Sequence, residues 1–172
     1  TGTDHASFDL VTKEVSTIGD IFGVPDKART LNDELTGQVK DLTSQASKDS
    51  QHSAAALWVE PGNSGFYTYG TSSMVQPILE ANGLRNVYDG ERKRVFDTTM
   101  EDVLKRNPEW IVLLAQEGDI AKTKPAFLKY KGASQLQAVR KNQVVVIPFS
   151  LTDPPTPQSI KGAVELNKLL KK

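Results

Sequence analysis

The stretch Gly65–Ser72 (GFYTYGTS) comes near the phosphate-loop spacing G-x-x-x-x-G-K-[ST], but Thr71 stands where the lysine is required. In such loops backbone N–H groups cradle the phosphates and the lysine supplies the charge that holds them. Without that lysine the segment reads as an ordinary strand-to-helix loop using glycine for turns. Gly62, Gly65 and Gly70 do not form the dinucleotide fingerprint G-x-G-x-x-G either. His5 lies in the terminal segment and His52 in a polar loop. Neither has a second histidine or a carboxylate at a ligand spacing such as H-E-x-x-H, so both read as solvated side chains. Ser64 sits in N-S-G, not in a G-x-S-x-G elbow, and no histidine is placed to activate it. The densest carboxylate groups, Glu101–Asp102 and Asp89 with Glu91, are accounted for by helix capping and solvation. With no cysteine in the chain, thiol catalysis, zinc–thiolate sites and internal disulfides are excluded. The residue chemistry therefore points to binding, with no catalytic residue and no enzymatic cofactor expected.

Charge narrows the partners. Lys plus Arg and Asp plus Glu both total 21 among 172 residues, which removes the long-range attraction that carries proteins to nucleic acids or anionic membranes. Aromatic residues make up 7% and do not interleave with basic ones, so a base-stacking platform is not expected. No apolar run approaches the roughly 20 residues that span a bilayer, and no signal peptide is visible. The start at Thr1, without a methionine, reads as a processed product or a fragment.

Phe8, Val11, Val15, Ile18 and Phe22 recur at helical spacing and predict a first helix over residues 7–22, capped by Ser7 or Asp4. Gly23 and Pro25 interrupt it. Ala28, Leu31, Leu35, Val39 and Leu42 continue a second stripe, and the polar run Thr43–Ser53 reads as a loop. The apolar run 55–60 (AALWVE) suits a strand buried on both faces, followed by the loop Pro61–Ser72. A helix over 73–82 ends at Gly83. NVYDG (86–90) predicts a second strand, Met100–Arg106 a helix, and WIVLLA (110–115) the clearest strand. Helices near Pro125–Tyr130 and Ser134–Lys141, a strand over 143–149 and a final helix capped by Thr156 with Pro157 in its first turn complete the pattern. Alternating strands and helices from Ala54 onward predict an α/β, Rossmann-like lobe: a parallel sheet flanked by helices.

Four segments carry a resemblance. YGTSSMVQPILEANGLRNVYDG (69–90), FDTTMEDVLKRNPEWIVLL (96–114), SQLQAVRKNQVVVIP (134–148) and IGDIFGVPDKARTLNDELTGQVKDL (18–42) are similar, in order, to segments of the substrate-binding proteins of iron-siderophore, haem and cobalamin ABC importers. Leu84 departs from the second glycine of that family's G-G-x-N turn, Glu109 from the aspartate after proline, and Gln143 from the arginine before the last strand. The resemblance implies two α/β lobes joined by a helix, with ligand in the cleft. Residues 1–24 would be the connecting helix and residues 25–172 the C-terminal lobe. The N-terminal lobe and any lipid anchor would lie outside this chain. The protein would be extracytoplasmic, in a periplasm or on the outer face of the membrane, and its partners an iron-chelate ligand and the ABC permease.

Ligands of open α/β sheets meet the loops at the carboxyl ends of the strands. Phe66, Tyr67 and Tyr69 put three aromatics into four residues of the first such loop, more than a turn needs. Arg92, Arg94 and Phe96 occupy the second, where the resemblance implies an aromatic ligand contact. Arginines and exposed aromatics suit anionic chelates with flat groups. Glu80 matches the glutamate of the family's L-E-x-x-G segment, implied to dock against permease arginines. Trp58 and Trp110 read as core residues. Two other readings remain at this stage. One is a Rossmann-like nucleotide-binding enzyme or regulator, which retained phosphate-loop chemistry would support. The other is a metal-ion binding protein using Glu117, Asp119 or Asp153.

Overall fold

The computed structural model describes residues 4–46, 52–59 and 65–171. Gly62, Ser64 and part of the expected polar loop lie outside the described residues. Helix α1 (Asp9–Ile21) is followed by α2 (Pro25–Gln45). The sheet elements are β1 (His52–Val59), β2 (Phe66–Tyr69), β3 (Leu84–Asn86), β4 (Val95–Thr98), β5 (Trp110–Ala115) and β6 (Val144–Pro148). Between and after them run α3 (Val75–Ala81), α4 (Met100–Arg106), α5 (Ile120–Leu128), α6 (Gln137–Arg140) and α7 (Pro157–Leu170). None of the described helices is long and apolar enough to cross a membrane.

The sheet order is β4-β2-β1-β5-β6, with β3 also pairing β1. β1 pairs β3 and β5 in parallel, and β5 pairs β6 in parallel. The expected parallel sheet flanked by helices is present, and β2 and β4 extend it by two antiparallel pairs, β1·β2 and β2·β4. Both extra strands fall in stretches read as loops. Their alternation was hidden because each is only four residues long, and it becomes regular only when the strands pair.

Period-two alternation divides the sheet residues between two faces. Ala54, Ala56, Val112, Leu114 and Ile147 meet Leu42 of α2, Ile78 of α3 and Leu166 of α7 on one side. Ala55, Leu57, Val59, Ile111 and Leu113 meet Val103 of α4, Phe127 of α5 and Ala138 of α6 on the other. This is why AALWV and WIVLLA show no alternation: both of their faces are covered by helices.

Several boundaries differ from expectation for local reasons. α2 continues to Gln45, and His52 and Ser53 already belong to β1. The strand expected at 86–90 lies instead at Leu84–Asn86, and residues 87–90 form a turn because the Asn86 side chain bends the backbone. Its Oδ1 accepts from the Tyr88 N–H at 3.0 Å, while its Nδ2 donates to the Tyr69 carbonyl at 2.9 Å. α5 starts at Ile120, five residues ahead of Pro125, and Ser134–Lys141 resolves into a 3-10 turn and the short α6. Neither Ser7 nor Asp4 caps α1, and the Thr156 side chain does not cap α7. Thr99 does cap α4, accepting from the Asp102 N–H at 3.2 Å.

α1 and α2 form a hairpin so close that a Cβ on Gly19 would lie 2.4 Å from the Ala28 methyl. Val11, Val15, Ala28 and Leu35 cluster with Met74 and Ile160, which ties the hairpin to the sheet domain. Toward its turn Ile18, Ile21, Phe22, Val24 and Leu31 are exposed, with Phe22 at 74%. The turn between the two expected units thus lies inside a packed helical pair.

Gly70 sets the crossing of the segment after β2 with the segment before β4. A Cβ there would lie 2.1 Å from the Glu91 carbonyl oxygen and 2.4 Å from that of Lys93. Thr71 N–H donates to Glu91 O at 2.8 Å and Ser72 Oγ to Arg92 O at 2.7 Å across the same crossing. Because both obstacles are backbone, Gly70→Ala is expected to cost about 1–3 kcal/mol or more, read as a lower urea midpoint at unchanged m-value.

Candidate functional site

At the carboxyl end of β1, Trp58 stands opposite Tyr67 in the antiparallel register. Alternation puts Tyr67 and Tyr69 on the Trp58 side of β2 and sends Phe66 and Thr68 to the other. Val95 is the register partner of Tyr69, and Arg94 precedes it. Phe149, leaving β6, packs edge-on against Trp58 with ring centroids 4.8 Å apart. These six residues, Trp58, Tyr67, Tyr69, Arg94, Val95 and Phe149, line an open cavity of ≈ 260 Å³. Ligand pockets usually run to about 300–1,000 Å³, so this aromatic wall has the size of part of a site.

Phe149 is held from behind by α7. Gly162 packs so tightly on the Phe149–Leu151 turn that a Cβ would lie 1.9 Å from the Leu151 carbonyl oxygen. Arg94 Nη1 is ion-paired with Asp153 Oδ2, and the Asp153 side chain is only 9% exposed. Burial pushes the Tyr69 phenol well above its ordinary 10.0; the Asp153 carboxylate adds to the shift and the Arg94 guanidinium opposes it. Tyr69 therefore faces the cavity as a neutral phenol.

The structure brings Tyr67, Tyr69 and Arg94 of the expected ligand residues into this cavity. It places the other three elsewhere. Phe66 is 2% exposed and packs on the opposite face against Phe127 (5.9 Å) and Tyr130 (4.6 Å). Phe96, also on that face, meets Tyr88 edge-on at 5.5 Å. Arg92 points outward to Asp4, 2.9 Å away. A run of aromatics in a strand alternates sides, so Phe66 and Phe96 could not share a face with Tyr67 and Tyr69. Trp58 and Phe149 were missed because each closes a strand that reads as core. Two cues pointed to them: their position at strand carboxyl ends and their large apolar side chains there.

Glu80 ends α3 exposed, as expected, but with partners. His5 Nε2 lies 3.0 Å from Glu80 Oε1, and Gln76 Nε2 donates to the same oxygen at 2.9 Å. Gln76 Oε1 accepts from Asn86 Nδ2 at 3.0 Å, and Asn86 also donates to the Tyr69 carbonyl. A hydrogen-bonded chain thus joins Glu80 to the strand that carries the cavity tyrosines. The second histidine is likewise paired, correcting its reading as a solvated bystander. His52 Nδ1 lies 3.1 Å from Glu109, whose carboxyl is held below its usual range chiefly by the Ser53 N–H.

Among the described residues no cluster of three or more His, Asp or Glu side chains could hold a metal ion. Glu117 accepts from Ser150 and Asp119 pairs with Lys122. The nucleotide-binding alternative is not favoured by the relatives or by the topology. A phosphate loop needs a helix N-terminus directly after the first strand, whereas among the described residues the element after β1 is the antiparallel strand β2.

A family profile described as "Periplasmic binding protein" matches residues 3–151. The chain belongs to that family. A solved structure of an ABC-type Fe3+-hydroxamate transport system from Saccharomonospora viridis superposes with a TM-score of 0.92 at 35% identity, covering 100% of this chain and 59% of that one. The high-affinity heme uptake system protein IsdE of Staphylococcus aureus is 25% identical over 157 residues, 87% of this chain and 53% of that protein. The vitamin B12 binding protein BtuF of Vibrio cholerae shares the fold alone, with a TM-score of 0.76 at 16% identity over 97% of this chain and 62% of that one. This periplasmic binding protein chain spans about half the length of the curated relatives it matches. Members of the family are binding proteins rather than enzymes.

The neutral Tyr69 phenol has a consequence for stability. Because its folded pKa is raised, the stabilisation is complete below the unfolded value of 10.0 and is lost as pH climbs above it. Tyr88, pushed up to about 12 chiefly by burial, adds a loss over the same range. Thermal midpoints measured from pH 9 to 12 are expected to fall, and to fall less steeply in Tyr69→Phe.

Proposed function

We propose that this chain is the C-terminal lobe of the substrate-binding component of an ABC importer. Its cargo is a ferric siderophore, haem or a cobalamin-type macrocycle, captured outside the cytoplasmic membrane and passed to the permease. The carrying observation is the aromatic wall of Trp58, Tyr67, Tyr69 and Phe149, which lines one open cavity together with Arg94 from the segment before β4. Flat, partly apolar ligands stack on such walls while a few polar groups fix their orientation. The relatives' named ligands, heme, Fe3+-hydroxamate and vitamin B12, are of this kind, and they would be cargo, not cofactors.

A second lobe would supply the opposing wall, in keeping with an open cavity that forms only part of a site. The exposed apolar turn of the α1–α2 hairpin supports this reading, since Ile21 and Phe22 gain most by being covered. The hairpin would join the lobes and keep their relative movement small. The protein would reside in a periplasm or be lipid-anchored on the outer face of the cell membrane.

Titration of the intact protein with ferric siderophores, haem and cobalamin, with ATP and NAD as controls, tests the reading through tryptophan fluorescence. Saturable quenching by one chelate is expected, with the quenched signal lost in Trp58→Phe and kept in Trp110→Phe. Arg94→Ala is expected to weaken that chelate about tenfold, equal to about 1.4 kcal/mol. Binding of ATP or NAD alone would sink the transport reading.

Glu80 is proposed to dock the permease. Its carboxylate is exposed at the end of α3, where a partner's arginine can replace or join His5. Glu80→Ala is expected to leave chelate affinity unchanged while cutting ligand-stimulated permease ATPase in reconstituted vesicles several-fold. Unchanged stimulation would remove the role.

A further inference from the structure

We propose that Asp153 cancels the charge of Arg94, so that the cavity selects chelates of zero or low net charge over polyanionic ones. The inference rests on the reading that this cavity holds a metal chelate, and goes beyond it by naming the ligand's charge class and the residue that sets it.

Among the described residues that line the cavity, Arg94 is the one charged side chain; the rest are Trp58, Tyr67, Tyr69, Val95 and Phe149. An arginine in an aromatic cleft ordinarily marks an anion site, through a planar fork that matches carboxylates and phosphates. Here the fork is already engaged. Asp153 holds Nη1 from a largely buried position, so its carboxylate has little water to turn to and remains beside the guanidinium. Burial on the aspartate side lowers the local dielectric and strengthens the pairing. Arg92, the neighbouring arginine, is turned away onto Asp4. Tyr69 contributes no anion, since its phenol is held neutral.

The pair does not silence Arg94 as a hydrogen-bond donor. A guanidinium carries five N–H groups, and the Arg94 side chain is 56% exposed. The remaining N–H groups can reach an acceptor that bears no net charge. Chelate chemistry offers two clear classes. A ferric ion bound by three singly charged hydroxamates is neutral overall and presents carbonyl and N–O oxygens. The same ion bound by three doubly charged catecholates is a trianion. A neutral complex can take the Arg94 hydrogen bonds and the aromatic wall without approaching an uncompensated charge. A trianion would have to desolvate beside Asp153 with no net positive charge to meet it.

The test compares two ferric chelates of similar size, a cyclic trihydroxamate and a cyclic tris-catecholate, on the intact protein by tryptophan quenching. Wild type is expected to prefer the neutral complex. Asp153→Asn frees one positive charge in the cavity and is expected to move the affinity ratio about tenfold toward the trianion. Asp153→Glu, which keeps the charge, is expected to retain the wild-type ratio. Arg94→Gln leaves the aspartate uncompensated and is expected to move the ratio the other way, which keeps the proposal testable should Asp153→Asn fail to fold by circular dichroism. Equal ratios in wild type and the folded variants, or a wild-type preference for the trianion, overturns the charge role while leaving the chelate site standing. Binding of neither complex to wild type overturns the site assignment and this inference with it.

Discussion

One edge of β1 carries two partners. β3 runs parallel along residues 52–54, and β2 runs antiparallel along residues 57–59. A parallel α/β sheet would normally send the chain from the end of β1 into a helix. Here it reverses and returns along the same strand before reaching α3. The reversal has two consequences for the site. It removes the helix N-terminus that a phosphate would need, and it plants Tyr67 and Tyr69 beside Trp58 at the open end of the sheet. β4 then pairs with β2 and delivers Arg94 to the same wall. Every cavity residue except Phe149 owes its place to that shared edge.

The arrangement is rigid at the points that matter. Gly70 lets two backbones cross at a separation no side chain permits, and Gly162 does the same where α7 meets the turn that carries Phe149. Asn86 stitches the crossing together from within, donating to Tyr69 O and Gln76 while its own carbonyl oxygen turns the chain at Tyr88. These are buried polar contacts with their partners present, and in a low-dielectric interior such networks favour one geometry strongly over its neighbours. A wall built this way is preorganised, which lowers the ordering cost of capturing a ligand.

Electrostatics separates this cleft from the one its residue types suggest. Two arginines and several aromatics in adjacent loops describe an anion-binding surface on paper. In three dimensions Asp4 takes Arg92 and Asp153 takes Arg94, acids that lie 88 and 59 positions away in the chain. Among the described residues, what lines the cavity is a largely aromatic surface with an arginine already paired to a carboxylate.

Much of the molecule was legible in the chain itself. The α/β class, the buried strands AALWV, WIVLLA and VVVIP and the helix starts at Pro25 and Pro157 follow from local composition and periodicity, while four motif segments in order carry the family resemblance. These are properties that neighbouring residues determine among themselves. Tyr67, Tyr69 and Arg94 were visible as candidates for the same reason: unusual residue types in a strand-end segment. Tertiary structure alone decided which of the neighbouring aromatics and arginines face the cavity. Phe66 and Phe96 differ from Tyr67 and Tyr69 only by one step of the strand period, and that step acquires meaning once β2 has a partner and a register. Trp58 and Phe149 are partly buried against the core and also line the cavity, a double role that only their packing in space reveals. The ion-pair partner of Arg94 is Asp153, a residue in a different loop, since a Coulomb interaction depends on distance in space and is blind to separation along the chain.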